Sequence, residues 1–159
     1  MACAVLTADC LPILLWDSKG GQVAAVHAGW RGLASGVIAK AVETFPRNMM
    51  VEAYLGPAIS QHYFEVGIDV VETFFESARS PVHLDAITAA FRPGVRSPLK
   101  YQADLYALAR AELDELGVVS VAGGNDCSFS NKEHFYSYRR SQKAGNTATG
   151  RMASLIWLK

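Results

Sequence analysis

A thiol and an imidazole, Cys10 and His27, lie 17 residues apart, each where an apolar run breaks into a loop. A thiolate beside an imidazole suits zinc or copper. The same two groups suit a metal-free Cys-His nucleophile pair, in which the imidazole lowers the thiol pKa. Each also has an ordinary structural use, since Cys is common core filler and a His at a strand end is commonly hydrogen-bonded structure. Asp9 precedes the thiol and either orients an imidazole as an acceptor or caps the turn. Arg31 precedes a helix, where backbone N–H groups and the dipole favour an anion. A guanidinium there makes a phosphate or carboxylate pocket, or else lies in solvent over Trp30.

A second group of candidates lies near the end of the sequence. Phe135-Tyr136-Ser137-Tyr138-Arg139-Arg140 reads as a strand, with Gly150-Arg151 after it. Two adjacent Arg residues on a strand point to opposite faces, so one of Arg139 and Arg140 enters a pocket and the other is a surface charge. The interleaved aromatic rings serve either to stack a base or to fill the core. Gly56-Pro57-Ala58-Ile59 reads as a tight turn that brings backbone close to something. Glu65 is an acid candidate or a surface charge, and Cys127 follows a Gly-rich loop as a ligand-facing or structural thiol.

The elements that must position these groups follow from periodicity. Residues 2–8 read as a short buried strand in need of cover on its other side. Pro12 then breaks the run, because it has no N–H for a central sheet. Residues 13–16 and 22–27 form a hairpin across Asp17-Ser18-Lys19-Gly20-Gly21. Val37, Ile38, Ala41, Val42 and Phe45 mark a helix that Pro46 closes. Residues 51–55 are a strand and 68–79 a helix. Residues 80–100, with Pro81, Pro93 and Pro98, read as irregular. Residues 103–116 form the clearest helix, with Gly117 as its cap. A strand follows at 118–122. Residues 134–138 and 152–158 read as a closing strand pair around the polar loop 139–150. Strands and helices mixed without strict alternation point to an α/β (α+β) layered sandwich rather than a doubly wound sheet.

The bulk composition limits the partners. The 159 residues suit one domain with a real core. Lys+Arg and Asp+Glu are equal at 15 each, so no surplus of positive charge marks a nucleic-acid footprint. Three cysteines without regular spacing are no disulfide framework and fit a reducing compartment. No apolar run is long enough to cross a bilayer, and the start has no signal-peptide pattern. The expectation is a cytoplasmic protein with neither nucleic acid nor membrane as partner.

Five segments resemble, in order, the signature segments of the laccase-domain (YfiH-like, multicopper polyphenol oxidase) family. They are Thr7-Ala8-Asp9-Cys10-Leu11-Pro12, His27-Ala28-Gly29-Trp30-Arg31-Gly32, Leu55-Gly56-Pro57-Ala58-Ile59, Phe64-Glu65-Val66-Gly67 and Tyr138-Arg139-Arg140 with Thr149-Gly150-Arg151-Met152. The resemblance covers essentially the whole chain. It implies a layered α-β-β-α sandwich with mixed sheets, similar to the catalytic domain of cytotoxic necrotizing factor. It also implies a His-Cys-His metal site, with Cys10 as its Cys and His27 as its second His.

The first His of that set lies upstream in the family, and His62, His83 and His134 fall in no matching motif. The natural N-terminal part of the domain is therefore expected to be absent, which would leave metal binding weak and activity low. The resemblance further implies a purine nucleoside phosphorylase that also deaminates adenosine and cleaves methylthioadenosine. Zinc is the expected metal, and purine nucleosides and phosphate are the expected partners. Arg31 is then the expected phosphate clamp, with Arg139 and Arg151 as further phosphate or substrate contacts. The alternatives are a copper-dependent, laccase-like polyphenol oxidase and a metal-free Cys-His hydrolase. The loop between Arg140 and Arg151 is longer than the usual family form.

Overall fold

A computed structural model describes residues 2–95 and 97–159. Its centre is a four-stranded sheet in the order β3-β2-β4-β8. The strands are β2 (Leu11–Asp17), β3 (Val23–Ala28), β4 (Val51–Leu55) and β8 (Ser120–Gly123). β2 pairs antiparallel with both β3 and β4, and β4 pairs parallel with β8. The expected hairpin over 13–27 is present, with Pro12 facing His27 and Leu11 facing Ala28.

Strand alternation sends Leu11, Ile13 and Leu15 to one face of the sheet, where they are fully buried. Helices cover that face: α1 (Trp30–Ala34), α2 (Val37–Val42) and α5 (Leu105–Glu115). Ile38, Leu105, Leu108 and Leu113 join the sheet residues in one core. Gly36 separates α1 from α2 with φ 76°, a left-handed conformation that Gly adopts without penalty. Asp104 caps α5 by accepting the Ala107 N–H at 3.0 Å.

Against β2 and β3 lies a two-stranded sheet of β1 (Ala2–Thr7) and β9 (Met152–Trp157), paired antiparallel from Ala2↔Trp157 to Thr7↔Met152. β1 was expected to be buried throughout, but it alternates. Cys3, Val5 and Thr7 are the less exposed set, whereas Ala2, Ala4 and Leu6 face solvent. Leu155 and Trp157 of β9 are exposed with them. A third sheet, β5-β7-β6, is built from β5 (Glu65–Gly67), β6 (Phe91–Pro93) and β7 (Lys100–Ala103), beside α3 (Ile68–Glu76). The mixed α/β architecture expected from the sequence is the one observed.

Three further expectations are corrected. The stretch 80–100 is not irregular: α4 (Pro81–Ala89) occupies its first half and β6 follows. Pro81 stands in the first turn of α4, where an absent N–H costs nothing, and the Ser80 hydroxyl caps the helix. Residues 134–138 do not form a strand, and β9 pairs with β1 instead. Ser137 starts a short helix, α6 (Tyr138–Lys143), by accepting the Arg140 N–H at 3.1 Å. Pro12 does not end the strand before it forms. It is the second residue of β2, and its carbonyl accepts the Gly56 N–H at 2.9 Å.

Candidate active site

Cys10 lies in the turn between β1 and β2. Its sulfur sits 3.0 Å from where a Cβ on Gly29 would stand, so the loop after β3 closes over it only because residue 29 is Gly. His27 faces Pro12 across the β2–β3 pair. Cys10 immediately precedes β2, two residues before Pro12. His27 is exposed. Cys3, Cys10 and Cys127 are free thiols.

Cys10 opens into a cavity of about 200 Å³. Trp30, Phe64 and Tyr138 supply aromatic walls, Ile59 and Leu105 an apolar floor, and Arg139 a cation. Burial pushes the Cys10 thiol pKa up, and the Asp9 carboxylate adds to this. Arg151 acts in the opposite direction. The thiol is therefore kept protonated, the reverse of what an activated nucleophile needs.

Asp9 holds the site together. It has φ 82°, a left-handed conformation that short polar side chains tolerate best. Its buried carboxylate accepts the Ser128 hydroxyl at 2.7 Å, the Ser137 hydroxyl at 3.0 Å and the Arg139 N–H at 2.6 Å. Those partners take the place of the imidazole considered from sequence. Asp9 anchors the start of α6 beside the cavity, and its own carbonyl accepts the Ile59 N–H at 3.0 Å.

The arginines divide the work differently from the strand picture. Arg139 lies in the first turn of α6 and lines the Cys10 cavity, with its guanidinium 5.5 Å from the Phe64 ring centre. Arg140 is no free surface charge: it donates to the carbonyls of Ser128, Phe129 and Phe135 at 2.6–2.7 Å and clamps that loop. Arg31 lies over Trp30, 4.3 Å from the ring centre, so its charge stands at the outer side of a cavity wall. Arg151 is exposed and donates to the Thr149 and Gly150 carbonyls.

The Gly56-Pro57-Ala58 turn approaches Pro12 closely, since a Cβ on Gly56 would stand 2.8 Å from the Pro12 Cγ. Tyr106, read from sequence only as part of a helix, holds this turn. Its hydroxyl accepts the Ala58 N–H at 2.7 Å and lies 3.0 Å and 2.7 Å from the Gly56 and Asp126 carbonyls. Burial drives the Tyr106 pKa upward, so the group stays a neutral donor.

Cys127 lies away from the Cys10 cavity, with the Ser60 hydroxyl 3.1 Å from its sulfur. Burial pushes its pKa up, but hydrogen bonds from Ser130 and Ser60 outweigh burial and lower it overall. Tyr138 belongs to the aromatic run that the sequence offers for stacking a base, whereas Phe64 lies outside it. Its position inside one of the matching segments was the available signal.

Among the described residues no group of three or more His, Cys, Asp or Glu side chains is placed to hold a metal ion. The donor chemistry of Cys10 and His27, a soft sulfur and an exposed imidazole, is of the kind that zinc and copper sites use. No helix of the described residues is long and apolar enough to cross a membrane.

A family model described as multi-copper polyphenol oxidoreductase laccase matches residues 1–159. A Haemophilus influenzae protein named purine nucleoside phosphorylase is 44% identical, over 99% of this chain and 60% of its own length. A Shigella flexneri protein named purine nucleoside phosphorylase YfiH is 47% identical, over 98% of this chain and 59% of its own length. The crystal structure of a Neisseria meningitidis protein superposes with a TM-score of 0.85 at 48% identity, over 99% of this chain and 60% of that one. The chain thus spans about 60% of the length of the curated relatives it matches.

Proposed function

From the premise that this chain belongs to the multi-copper polyphenol oxidoreductase laccase family, we propose that it carries the phosphorolytic centre for which its relatives are named and cleaves purine nucleosides with phosphate. The observation that carries this reading is the Cys10 cavity, where three aromatic walls, a sulfur and the Arg139 guanidinium converge. Trp30, Phe64 and Tyr138 offer flat apolar surface to a purine, and offset aromatic stacking favours a planar base. Arg139 presents a forked donor to a phosphate oxygen, with Arg31 and Arg151 adding positive charge nearby. Arg139 takes the clamp role first given to Arg31, because it is Arg139 that lines the cavity.

Cys10 and His27 are the residues that would hold a metal ion, zinc in this reading. Such an ion supplies Lewis acidity and lowers the pKa of water. Adenosine deamination and methylthioadenosine cleavage belong to the same proposal, since both need the same base pocket. The thiol held protonated in the absence of a cation favours a ligand role for Cys10 over a metal-free nucleophile. Copper-dependent phenol oxidation is the second reading, supported by the description of the family.

The test is phosphate-dependent release of base from inosine and adenosine by zinc-loaded protein, followed by chromatography. Release that falls at least 100-fold in Cys10→Ala supports the reading. Equal turnover in the Cys10→Ala variant overturns it, as does turnover that survives a chelator undiminished. Phenol oxidation on copper loading without nucleoside cleavage would favour the second reading.

A further inference from the structure

A second cavity, of about 190 Å³, lies where the end of α1 meets α3, α4 and α5. It shares no lining residue with the Cys10 cavity. Phe74, Ile87 and Leu108 form its apolar walls, and Arg79, His83 and Glu112 supply its polar groups. His83 is 5% exposed and Glu112 6%. The buried side-chain atoms left without a partner among the described residues are Thr7 Oγ1 and Asp17 Oδ1, so the polar atoms of His83 and Glu112 open onto the cavity rather than into packed core.

The His83 ring has an open valence. Its Nδ1 accepts the Arg79 backbone N–H at 3.3 Å. In the neutral ring the proton therefore sits on Nε2, which has no hydrogen-bond partner among the described residues. Burial lowers the pKa of this imidazole and holds the ring neutral. The Glu112 carboxylate accepts from the Arg79 guanidinium at 3.5 Å, and burial pushes its pKa up. A carboxylate accepts about four hydrogen bonds, so Glu112 retains acceptor capacity. The cavity lining thus offers an unused donor and a partly used acceptor together with an aromatic and aliphatic surface.

We propose that this cavity is a second binding site, for a small flat molecule whose edge carries a hydrogen-bond acceptor beside an N–H donor, such as an aromatic amide or a nucleobase. The acceptor takes the His83 Nε2–H, the N–H donates to Glu112, and the ring lies among Phe74, Ile87 and Leu108. The volume fits, since an apolar cavity of about 150 Å³ holds benzene. A carboxylate at the same edge meets Glu112 as a like charge, and a hydrocarbon leaves both polar groups unpaired. α1 is common to the two cavities: Trp30 at its start borders the Cys10 cavity, and Leu33 and Ala34 near its end border this one.

The test is titration of the full chain with benzamide, adenine, benzoate and toluene, read from the His83 ring resonances in 1H–15N spectra. Saturable shifts with benzamide or adenine, at least 10-fold tighter than with benzoate or toluene, support the proposal. Adenine binding in addition to benzamide identifies a nucleobase edge, whereas benzamide alone identifies an amide. The shifts should persist in Cys10→Ala, which separates this site from the first cavity. Binding followed from the backbone amide resonances of Leu33, Ala34 and Ser35, which line the cavity, should weaken at least 10-fold in His83→Phe. No saturable shift with either probe overturns the proposal, as does toluene binding as tightly as benzamide. The comparison among probes needs only the unaltered chain, so it holds even if the variant does not fold.

Discussion

The Asp9 carboxylate accepts the backbone N–H of Arg139 at 2.6 Å, across 130 positions of sequence. This bond joins the turn that carries the thiol to the helix that carries the cavity's cation. It also makes the site dependent on one buried charge whose partners are two hydroxyls and an amide.

Asp9→Ala leaves those donors without their acceptor. Hydrogen bonds to a charged group contribute about 1.5–3 kcal/mol each, and losses within one network are not additive. We expect a loss of about 3–5 kcal/mol in urea unfolding, with Asp9→Asn losing less. A loss under about 1 kcal/mol, the range of an ordinary surface change, would contradict the anchoring role.

Arg140→Ala removes the donor from three loop carbonyls, and a loss of about 3 kcal/mol is expected from the same range. Arg140→Lys should recover less than half of it, because a single ammonium cannot reproduce the planar fork. Full recovery by Lys in thermal unfolding would show that only the charge matters.

Two of the three partly exposed thiols, Cys10 and Cys127, should separate by pH. The thiolate is the reactive form, so a raised pKa delays alkylation and a lowered one advances it. Cys10 is raised by burial and Asp9, whereas Cys127 is lowered overall by its hydrogen bonds. Iodoacetamide at about pH 7.5, below the usual free-thiol value of about 8.5, should therefore label Cys127 before Cys10. Peptide mass analysis of the time course checks the order, and the reverse order would contradict the electrostatics assigned to Cys10.

Arg139→Lys keeps a charge at the cavity but loses the bidentate fork. In the proposed phosphorolysis the KM for phosphate should rise about 10-fold, equivalent to about 1.4 kcal/mol. Arg31→Ala should raise it less, because Arg31 stands outside the Trp30 wall. A larger effect at Arg31 would return the clamp to that position.

Local periodicity made much of the fold legible. The β2–β3 hairpin and the helix ending before Gly117 follow from alternation, helical spacing and capping residues near in sequence. The irregular reading of 80–100 failed because Pro81 was taken as a breaker although Ser80 prepares it as a helix start. The strand reading of 134–138 failed because alternating aromatics outweighed the capping serine at 137. Within the site, residue chemistry pointed to Cys10 and Arg139. The partners of Asp9 lie 119–130 positions away, and no local pattern encodes a contact of that span.

The pairing of Ala2 with Trp157 has a consequence for assembly. A ladder whose two strands are separated by the central hairpin, its helices and the third sheet closes a long loop, and its entropy is lost before any contact compensates it. The central hairpin and its covering helices need far shorter closures and can form first. During synthesis β1 emerges well before β9, and it must wait for that strand.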